Sequence, residues 1–535
     1  MSAPVIEHPE QPDVAAYKVS VLAPAPTPIP TPLARSAATT PAASHLPTPR
    51  SEPTPAERVL TVTEVTAMFL KSLVKSAEDF LGKQIEGAVI SVPPWFDHRA
   101  RAALEEAAEE AGIKILQLLD EAGAASLMSV SFPADGLEPD RTALLVDLGQ
   151  SSLYLSLLSF RHGLMYSLAS SYDPQVGGEQ IDAKLLRFFA KEFTKKTKTP
   201  LTVCPASDNA DKRAETKIRL AIEHTKRTIS ASPGAATCSV ESLKDGMDFT
   251  ATINRMRFDM EMRSVYDSVV NGAISLLSSV GLEPLHVDEI IYVGGSTSLP
   301  GLDEAFFVRG FPESVVTPFT AGTVVGGGSG DPTTLLARGC ALQARILAEI
   351  PTDEVAIKDA FHSASGHIDM KATTKSLGII LPEETPVEED ANKSGDLGGQ
   401  WVLGIPRETP LPYRRIVQFD CDLGEGDEKK AGFEVWEVSD TVKVERVKPP
   451  KLEDEEEDED EDEEIEVREK AIVKEAYHGS VSLVSRHSAK AMGRWRTRLE
   501  IQFVAAGNGS VTVTAREVHK NGKGEPVILT IPPTI

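Results

Sequence analysis

The sequence predicts a mixed α/β domain followed by a small antiparallel β-domain. Between residues 58 and 350, apolar runs typical of buried strands alternate with tracts of helical periodicity, which is the pattern of a mixed α/β fold. From about residue 367 the pattern changes to short alternating strands separated by turns, among them the hairpin signal GNGS at residues 507–510. We therefore expect two folded domains, at residues 58–350 and 367–535, joined by a linker at residues 351–366.

The first 57 residues are dominated by proline. They contain 13 of the 37 prolines, in runs such as APAPTPIPTP and PTPRSEPTP. Because proline fixes φ and removes a backbone donor, closely spaced prolines prevent both helices and sheet interiors. We expect an extended or disordered segment, in which the apolar patch AYKVSVL forms an isolated strand.

The elements of the first domain follow in order from residue 58. A helix is predicted at TVTEVTAMFLKSLVKSAEDFLGK, then a buried strand at GAVISVPP, a helix at RARAALEEAAEEAG, a strand at IKILQLLD and a short helix at EAGAASLMSV. The β-rich runs TALLVDLG and SLYLSLLSF are joined by a turn. Longer helices are predicted at about 180–196, 211–230 and 259–280, and the strand VDEIIYVGG and the helix TTLLARGCALQARILAEI close the domain.

The charge is negative and unevenly distributed. A net charge of −25 argues against a nucleic-acid surface, which needs clustered lysine and arginine. Residues 453–464 are an unbroken acidic run that supplies about half of this charge. Because like charges repel one another, we expect a disordered insertion at about 450–468, either a solvated spacer or a docking segment for basic partners.

The cysteines and the apolar runs indicate the compartment. The four cysteines form no C-x-x-C pair, so we expect neither a zinc site nor a disulfide framework. No apolar run reaches the length of about 18 residues that a membrane span needs, and the N-terminus lacks the order of a signal peptide. We expect a reduced, cytoplasmic protein with no membrane partner and no metal ligands.

Three turns of the first domain combine glycine with the end of a strand. They are LVDLGQSS at Leu145, VGGEQID at Val176 and VGGSTSLPGL at Val293. Glycine permits a close backbone approach, and a helix N-terminus offers free N–H groups to an anion. Each turn alone is equally well explained by packing.

Together, with VPPWF upstream and AIEHTKRTIS between them, the three turns resemble the heat shock protein 70 family. The resemblance runs from Val59 to about Ile350 and continues more loosely through TKSLGI and GNGSVTVTARE. It implies an α/β actin-like ATPase domain that binds Mg–ATP, followed by an antiparallel, β-sandwich-like substrate-binding domain.

The resemblance also implies a nucleotide site. The positions that match family contacts to adenosine and the α-phosphate are Glu223, Lys226, Arg227, Ser230, Gly294, Gly295 and Ser296. The remaining cofactor-binding positions are Asp147, Gly149, Gly177, Gly178 and Glu179. Ser298 stands where the family usually has an arginine that stacks on the base, so we expect one contact to be lost.

The phosphate half departs from the family pattern. Gln150 and Ser151 replace glycines of the second phosphate loop, where side chains would obstruct a backbone that wraps phosphates, and Tyr154 replaces a carboxylate. We find neither the first phosphate loop nor its partner lysine, so the domain is expected to be N-terminally incomplete. Because phosphoryl transfer depends on positioning and charge neutralisation, we expect weakened or lost ATP binding, no catalytic residues and no hydrolysis.

Two further departures concern the coupling of the domains. The linker region DAFHSASGHIDM lacks the apolar character of the family linker, and the chain stops at Ile535 after the β-domain, so we expect no helical lid. Pro93 and Arg101 match the proline–arginine switch of the family. Without the apolar linker, we expect these two residues to serve packing.

These departures resemble those of the atypical fungal member of the ribosome-associated complex. The resemblance implies an ATP-binding, non-hydrolysing chaperone or co-chaperone in the cytoplasm. Its implied partners are a zuotin-like J-domain protein, the ribosome through that protein, nascent polypeptides and an active heat shock protein 70. No direct contact with nucleic acid is implied.

Several alternatives stay open. Glu121, at the family's water-orienting position, and Asp147, which could hold Mg²⁺ through water, favour an active ATP-hydrolysing chaperone. A scaffold that has lost nucleotide binding is the other alternative, and an acidic docking protein is a third. The abrupt change after MSAPVI also raises the hypothesis that residues 7–57 come from a mistranslated exon.

Overall fold

The structure is a computed structural model that divides into two compact units. It describes residues 5–23, 54–231, 234–351, 353, 371–381, 397–423, 429–447, 465–491, 494–519 and 522–533. The first unit comprises residues 1–121 and 343–366, and the second comprises residues 122–342 and 367–535. Apart from residues 351 and 353, the predicted linker lies outside the described residues.

The first unit begins with a three-stranded antiparallel sheet in the order β1-β2-β3. Its elements are β1 (Val5–Glu7), β2 (Ala15–Ala23), β3 (Thr54–Thr61), α1 (Val62–Leu81), β4 (Ala88–Val92), α2 (His98–Glu110) and β5 (Ile115–Asp120). β4 and β5 pair in parallel. Helix α1 begins at a capping box, in which the Thr61 hydroxyl accepts from the Glu64 amide and the Glu64 carboxylate accepts from the Thr61 amide.

The three-stranded sheet differs from the expectation for residues 1–57. The strand predicted at AYKVSVL exists as β2, but it is not isolated, because it pairs with β1 on one side and β3 on the other. Pro55 lies in β3, an edge strand of this sheet, where proline is better tolerated because only some of the N–H groups face a neighbouring strand. The proline-dense stretch at residues 24–53 lies outside the described residues.

The second unit opens with the later part of the predicted α/β domain. Its elements are α3 (Glu121–Ser131), β6 (Arg141–Leu148), β7 (Leu153–Arg161), β8 (Leu164–Asp173), α4 (Gly178–Thr197), α5 (Asn209–Ala231), β9 (Ala235–Lys244), β10 (Met247–Asn254), α6 (Arg255–Ser279), β11 (Glu289–Val293), α7 (Pro300–Val308) and α8 (Leu335–Glu349). Glu121, the first residue of α3, and residues 343–349 of α8 belong to the first unit. A mixed sheet has the order β11-β6-β7-β8, with β11 parallel to β6, and β9 and β10 form a separate hairpin. The three long helices predicted from periodicity are confirmed as α4, α5 and α6.

The core of this part lies between the mixed sheet and the helices. Leu185, Phe189 and Phe193 recur every four residues along α4 and are fully buried. They belong to one cluster with Leu155 of β7 and Val269 of α6. Burial of each such side chain stabilises the fold by about 1.5–3 kcal/mol. This packing holds α4, and therefore its N-terminus, in a defined place beside the sheet.

The β-domain is antiparallel throughout its described residues, as predicted. Its strands are β12 (Ser376–Leu381), β13 (Gln400–Ile405), β14 (Tyr413–Asp422), β15 (Lys430–Val447), β16 (Ile465–Val484), β17 (Ala489–Ala491), β18 (Arg494–Ala505), β19 (Val511–His519), β20 (Gly522–Lys523) and β21 (Val527–Ile531). They form a sheet in the order β13-β12-β15-β16 and a second sheet around β14-β18-β19. Ile379 and Ile405 of the first sheet share a buried cluster with Ile501, Phe503 and Val513 of the second, as in a sandwich.

The bounds of the predicted acidic insertion need a correction. Val447 of β15 pairs with Ile465 of β16, so residues 465–468 belong to a strand. Ile465 and Val467 are β-branched residues, which favour a strand. The acidic run itself lies outside the described residues. Among the described residues, no helix is long and apolar enough to cross a membrane.

Candidate functional site

The turn between β6 and β7 lies beside the end of β11. Because β6 and β11 are parallel neighbours, with Asp147 opposite Val293, the turns that follow both strands open at the same edge of the sheet. Gly294 follows β11 with a positive φ of 89°. A Cβ on Gly294 would lie 2.5 Å from the Leu148 carbonyl oxygen. Only glycine therefore allows the two strand ends to approach this closely.

Helix α4 begins directly against the same turn. The amide of Gly178 donates to the Gly149 carbonyl at 2.9 Å, and the amide of Glu179 donates to the Gln150 carbonyl at 2.8 Å. A Cβ on Gly177 would lie 2.7 Å from the Gln150 carbonyl oxygen. Two of the N–H groups that a helix leaves unpaired in its first turn are thus satisfied by this loop.

The side chain of Gln150 extends across the start of α4. Its Nε2 donates to Oδ2 of Asp182 at 2.9 Å. A Cβ on Gly178 would lie 2.6 Å from Oε1 of Gln150 and 2.7 Å from Oγ of Ser296. The amide of Gln150 and the hydroxyl of Ser296 therefore both lie against Gly178.

Asp182 links this turn to α5. The buried carboxylate of Asp182 forms an ion pair with Lys226, with Oδ1 and Nζ 2.7 Å apart. Nζ of Lys226 also lies 3.1 Å from Oε2 of Glu223, whose other oxygen accepts from Nε of Arg227 at 3.0 Å. The hydrogen bond from Lys226, assisted by Arg227, lowers the pKa of Glu223. Oγ of Ser230 donates to the backbone carbonyl of Lys226.

The structure brings most of the predicted site residues together. Asp147, Gly149, Gly177, Gly178, Gly294 and Ser296 surround the turn. Glu223 and Lys226 are connected to it through Asp182, which the sequence-based prediction missed. Asp182 follows Gly178 by four residues, so it lies on the same face of α4, and that spacing could have identified it. The role of these residues in binding a nucleotide stays a prediction.

Three of the predicted site residues are exposed. Arg227 and Glu179 are exposed, the first paired with Glu223 and the second joined to the turn through its amide alone. Gly295 is also exposed, and a Cβ on it would meet only Cγ2 of Thr333, at 4.0 Å. The space beside the backbone of Gly295 is therefore open.

Asp147 lies in β6, two residues before Gly149 of the turn. Its Oδ1 lies 3.1 Å from the position that a Cβ on Gly294 would take. Burial raises the pKa of Asp147 to about 6, because a low-dielectric surrounding disfavours the charged carboxylate. In the part of the chain that the structure describes, no group of three or more His, Cys, Asp or Glu residues is arranged to hold a metal ion.

These contacts are compatible with the adenosine part of Mg–ATP but not with its phosphates. Open space at Gly295 and the polar side chains of α5 suit an adenosine. The phosphate half does not fit, because the Gln150 side chain covers Gly178 and the first amides of α4 are bonded to the turn. Tyr154, in place of the family carboxylate, is 6% exposed and packs in an apolar cluster.

The proposed switch residues and Glu121 belong to the first unit. Arg101 forms an ion pair with Asp120 at the end of β5, and its Nε donates to the Phe96 carbonyl. Pro93 directly follows β4. Glu121 is the first residue of α3. Arg101 therefore forms polar contacts within its own unit, and the packing role expected for it stays a prediction.

A model of the family described as "Hsp70 protein" matches residues 50–375, which is more than half of the chain. The chain belongs to the Hsp70 family. This matched region includes all three glycine turns, α5 and the Gln150–Asp182 contact. This Hsp70 protein therefore carries the Gln150 turn inside the region that matches the family.

Curated relatives of this Hsp70 protein include a heat shock protein 70 homolog of Schizosaccharomyces pombe, 30% identical over 89% of this chain and 76% of the relative. A ribosome-associated complex subunit of Saccharomyces cerevisiae is 32% identical over 56% of this chain and 53% of its own length. A ribosome-associated molecular chaperone of the same yeast is 30% identical over 65% of this chain and 50% of its own length. The chain thus spans about half the length of these two Saccharomyces cerevisiae relatives.

Proposed function

We propose that this Hsp70 protein is a co-chaperone that holds an adenine nucleotide without hydrolysing it. In this proposal it works in the cytoplasm at the ribosome, pairs with a zuotin-like J-domain protein, and assists the folding of nascent chains together with an active Hsp70. The observation that carries the proposal is the Gln150 side chain, which lies across the start of α4 where a phosphate-binding loop needs bare backbone.

The positions and charges of the groups around the turn disfavour ATP hydrolysis. Catalysis of phosphoryl transfer depends on donors and cations that hold the γ-phosphate in line with the attacking water. Here the amides of Gly178 and Glu179 are bonded to the turn, and Lys226 is shared between Asp182 and Glu223. The turn between β1 and β2, residues 8–14, contains neither glycine nor threonine. These groups supply little of what phosphoryl transfer needs.

The relatives and the β-domain support the proposed pairing with a J-domain protein at the ribosome. Two similar yeast proteins are described as a subunit of the ribosome-associated complex and as a ribosome-associated chaperone. Within the described strands, β14 pairs with β18 on one side only and is an edge strand of its sheet. An extended segment of a partner can add to such an edge.

The proposal is tested with the purified full chain in two assays. Phosphate release from Mg–ATP should not exceed the protein-free blank, with an active Hsp70 as the positive control. Co-sedimentation with ribosomes should require the J-domain protein. ATP hydrolysis by the chain alone would establish the active-chaperone alternative instead. Co-sedimentation with ribosomes in the absence of the J-domain protein would refute the proposed pairing.

A scaffold that has lost nucleotide binding is the second candidate. Lys226, which should contact adenosine in an Hsp70, is already bonded to two carboxylates in this structure. Calorimetric titration of the full chain with adenosine and AMP separates the two candidates. Saturable binding supports the nucleotide-holding co-chaperone, whereas a flat titration with both ligands leaves the scaffold.

A further inference from the structure

We propose that Gln150 makes this site selective for adenosine and adenosine monophosphate over the triphosphate. The inference rests on the proposed function, because it assumes that the adenosine half of the site binds its ligand. It adds a specificity-determining residue and the class of nucleotide that the site accepts.

Gln150 is held in place at both its backbone and its side chain. Its carbonyl accepts from the Glu179 amide at 2.8 Å, and its Nε2 donates to Asp182 at 2.9 Å. Asp182 is 7% exposed and is itself paired with Lys226. A side chain bonded to a buried carboxylate keeps its orientation, because leaving would cost the hydrogen bond of a charged acceptor.

The position of the Gln150 amide determines which phosphates of a bound nucleotide would meet this side chain. By the family resemblance, Gly295 and Ser296 contact adenosine and the α-phosphate. Oε1 of Gln150 and Oγ of Ser296 lie 2.6 Å and 2.7 Å from the position that a Cβ on Gly178 would take, so the Gln150 amide lies next to the Ser296 hydroxyl. A single phosphate can stop at Ser296. The second and third phosphates would have to pass over Gly178, where the amide of Gln150 lies.

Displacing Gln150 would also weaken the binding of a longer nucleotide. Its Nε2 would have to leave the buried carboxylate of Asp182, and Gln150→Gly has no such hydrogen bond to break when the ligand binds. A second carboxylate, that of Asp147, lies next to Gly294. Lys226 is shared between Asp182 and Glu223, so it neutralises little additional charge. Like charges at close range repel strongly in a partly buried site, so each further phosphate weakens binding.

The test is a calorimetric titration of the full chain with adenosine, AMP, Mg–ADP and Mg–ATP. For the unmodified protein we expect similar Kd values for adenosine and AMP and a Kd for Mg–ATP at least about tenfold higher. Gln150→Gly should lower the Kd for Mg–ATP by about tenfold and change that for AMP by less than about twofold. Gln150→Ala, which keeps a Cβ, should lower the Kd for Mg–ATP by a smaller factor. It replaces the glycine variant in the test if that variant folds poorly.

Ser151→Gly is the matched control. It introduces the same flexible residue next to Gln150. The sequence predicts that Ser151 also obstructs the loop, but its side chain is exposed, and none of the three atoms nearest to a Cβ on Gly178 belongs to it. Its selectivity should equal that of the unmodified protein. A gain equal to that of Gln150→Gly would show that loop flexibility is the cause and would overturn the inference.

Two further outcomes distinguish this inference from the proposed function. If the unmodified protein binds Mg–ATP as tightly as AMP, Gln150 is not selective, while the nucleotide-holding function stands. If no ligand binds to the unmodified protein or to Gln150→Gly, the inference and the nucleotide part of the proposed function both fail. The ribosome co-sedimentation then reports separately on the co-chaperone part.

Discussion

Arg161, at the end of β7, forms an ion pair with Glu408 of the β-domain, with Nη2 and Oε2 3.1 Å apart. The two side chains are only 14% and 8% exposed. Nε of Arg161 also donates to the Arg407 carbonyl at 3.1 Å, and the His162 ring stacks on Tyr413. A largely buried charge cluster therefore joins the mixed sheet to the β-domain within the second unit.

Replacing Arg161 should loosen this junction. Arg161→Ala leaves the buried Glu408 carboxylate with Arg407 as its remaining cation, so we expect a loss of about 3 kcal/mol, the lower end of the range for breaking a buried ion pair. We expect the free energy of unfolding to fall and hydrogen exchange of residues 405–410 to increase, measured by urea unfolding and by mass spectrometry. Arg414→Ala removes an exposed arginine from β14 and should change neither quantity. Unchanged exchange at residues 405–410 in Arg161→Ala would contradict the assigned role.

Gly294 and Gly295 form a natural pair for testing the strand-end geometry. Gly294→Ala places a Cβ at positive φ and 2.5 Å from the Leu148 carbonyl, so we expect a loss of about 2 kcal/mol or more in unfolding free energy. Gly295→Ala meets its nearest atom at 4.0 Å and should cost less than about 1 kcal/mol. Urea unfolding of both variants measures the difference. Equal losses would show that the close approach at Gly294 is not needed.

Asp147 should make the protein less stable as the pH rises. Its pKa in the folded state, about 6, lies above the ordinary value of 3.8, so between these values the folded state binds more protons than the unfolded state. Stability is therefore lost as the pH rises from about 4 through about 6, and Asp147→Asn should remove this loss. At pH 7.5 the variant should be more stable by about 2 kcal/mol. Urea unfolding at pH 5 and pH 7.5 tests this, with Asp79→Asn on the exposed face of α1 as the control.

Glu517 should have the opposite dependence in the β-domain. Burial by itself raises the pKa of Glu517, but hydrogen bonds from Ser485, Thr497, the Arg486 amide and His487 outweigh burial and bring it to about 2. Since this pKa is below the ordinary value of 4.5, the stabilisation is complete above about pH 4.5 and is lost as the pH falls towards 2.

The matched pair for this prediction is Glu517→Gln and Glu525→Gln. The first should lower the free energy of unfolding at pH 7 by about 2 kcal/mol or more and flatten its decline below pH 4.5. The second changes a side chain that is 88% exposed and should behave like the unmodified protein. Thermal unfolding followed between pH 3 and pH 7 distinguishes them. A Glu517→Gln variant that keeps the original acid dependence would refute the assignment.

Local patterns in the sequence predict much of the fold. The helices α4, α5 and α6 follow from apolar spacing, because a helix that packs on a sheet must present one continuous apolar face. The β-domain follows from alternation and turn signals. Pairing is less predictable, since the partner of a strand can be distant in the chain. β2 was expected alone, yet it lies between β1 and β3, and 30 residues separate the end of β2 from the start of β3.

The sequence by itself determined the family, the order of the elements and the loss of glycine at Gln150, because these are properties of residue type and spacing. Only the tertiary structure decided what Gln150 does. Its bond to Asp182 joins residues 32 positions apart, and it exists because α4 packs with its first turn against the β6–β7 turn. Likewise Gly294 meets Leu148 only because β11 pairs with β6. Contacts between distant segments depend on packing, which no local pattern encodes.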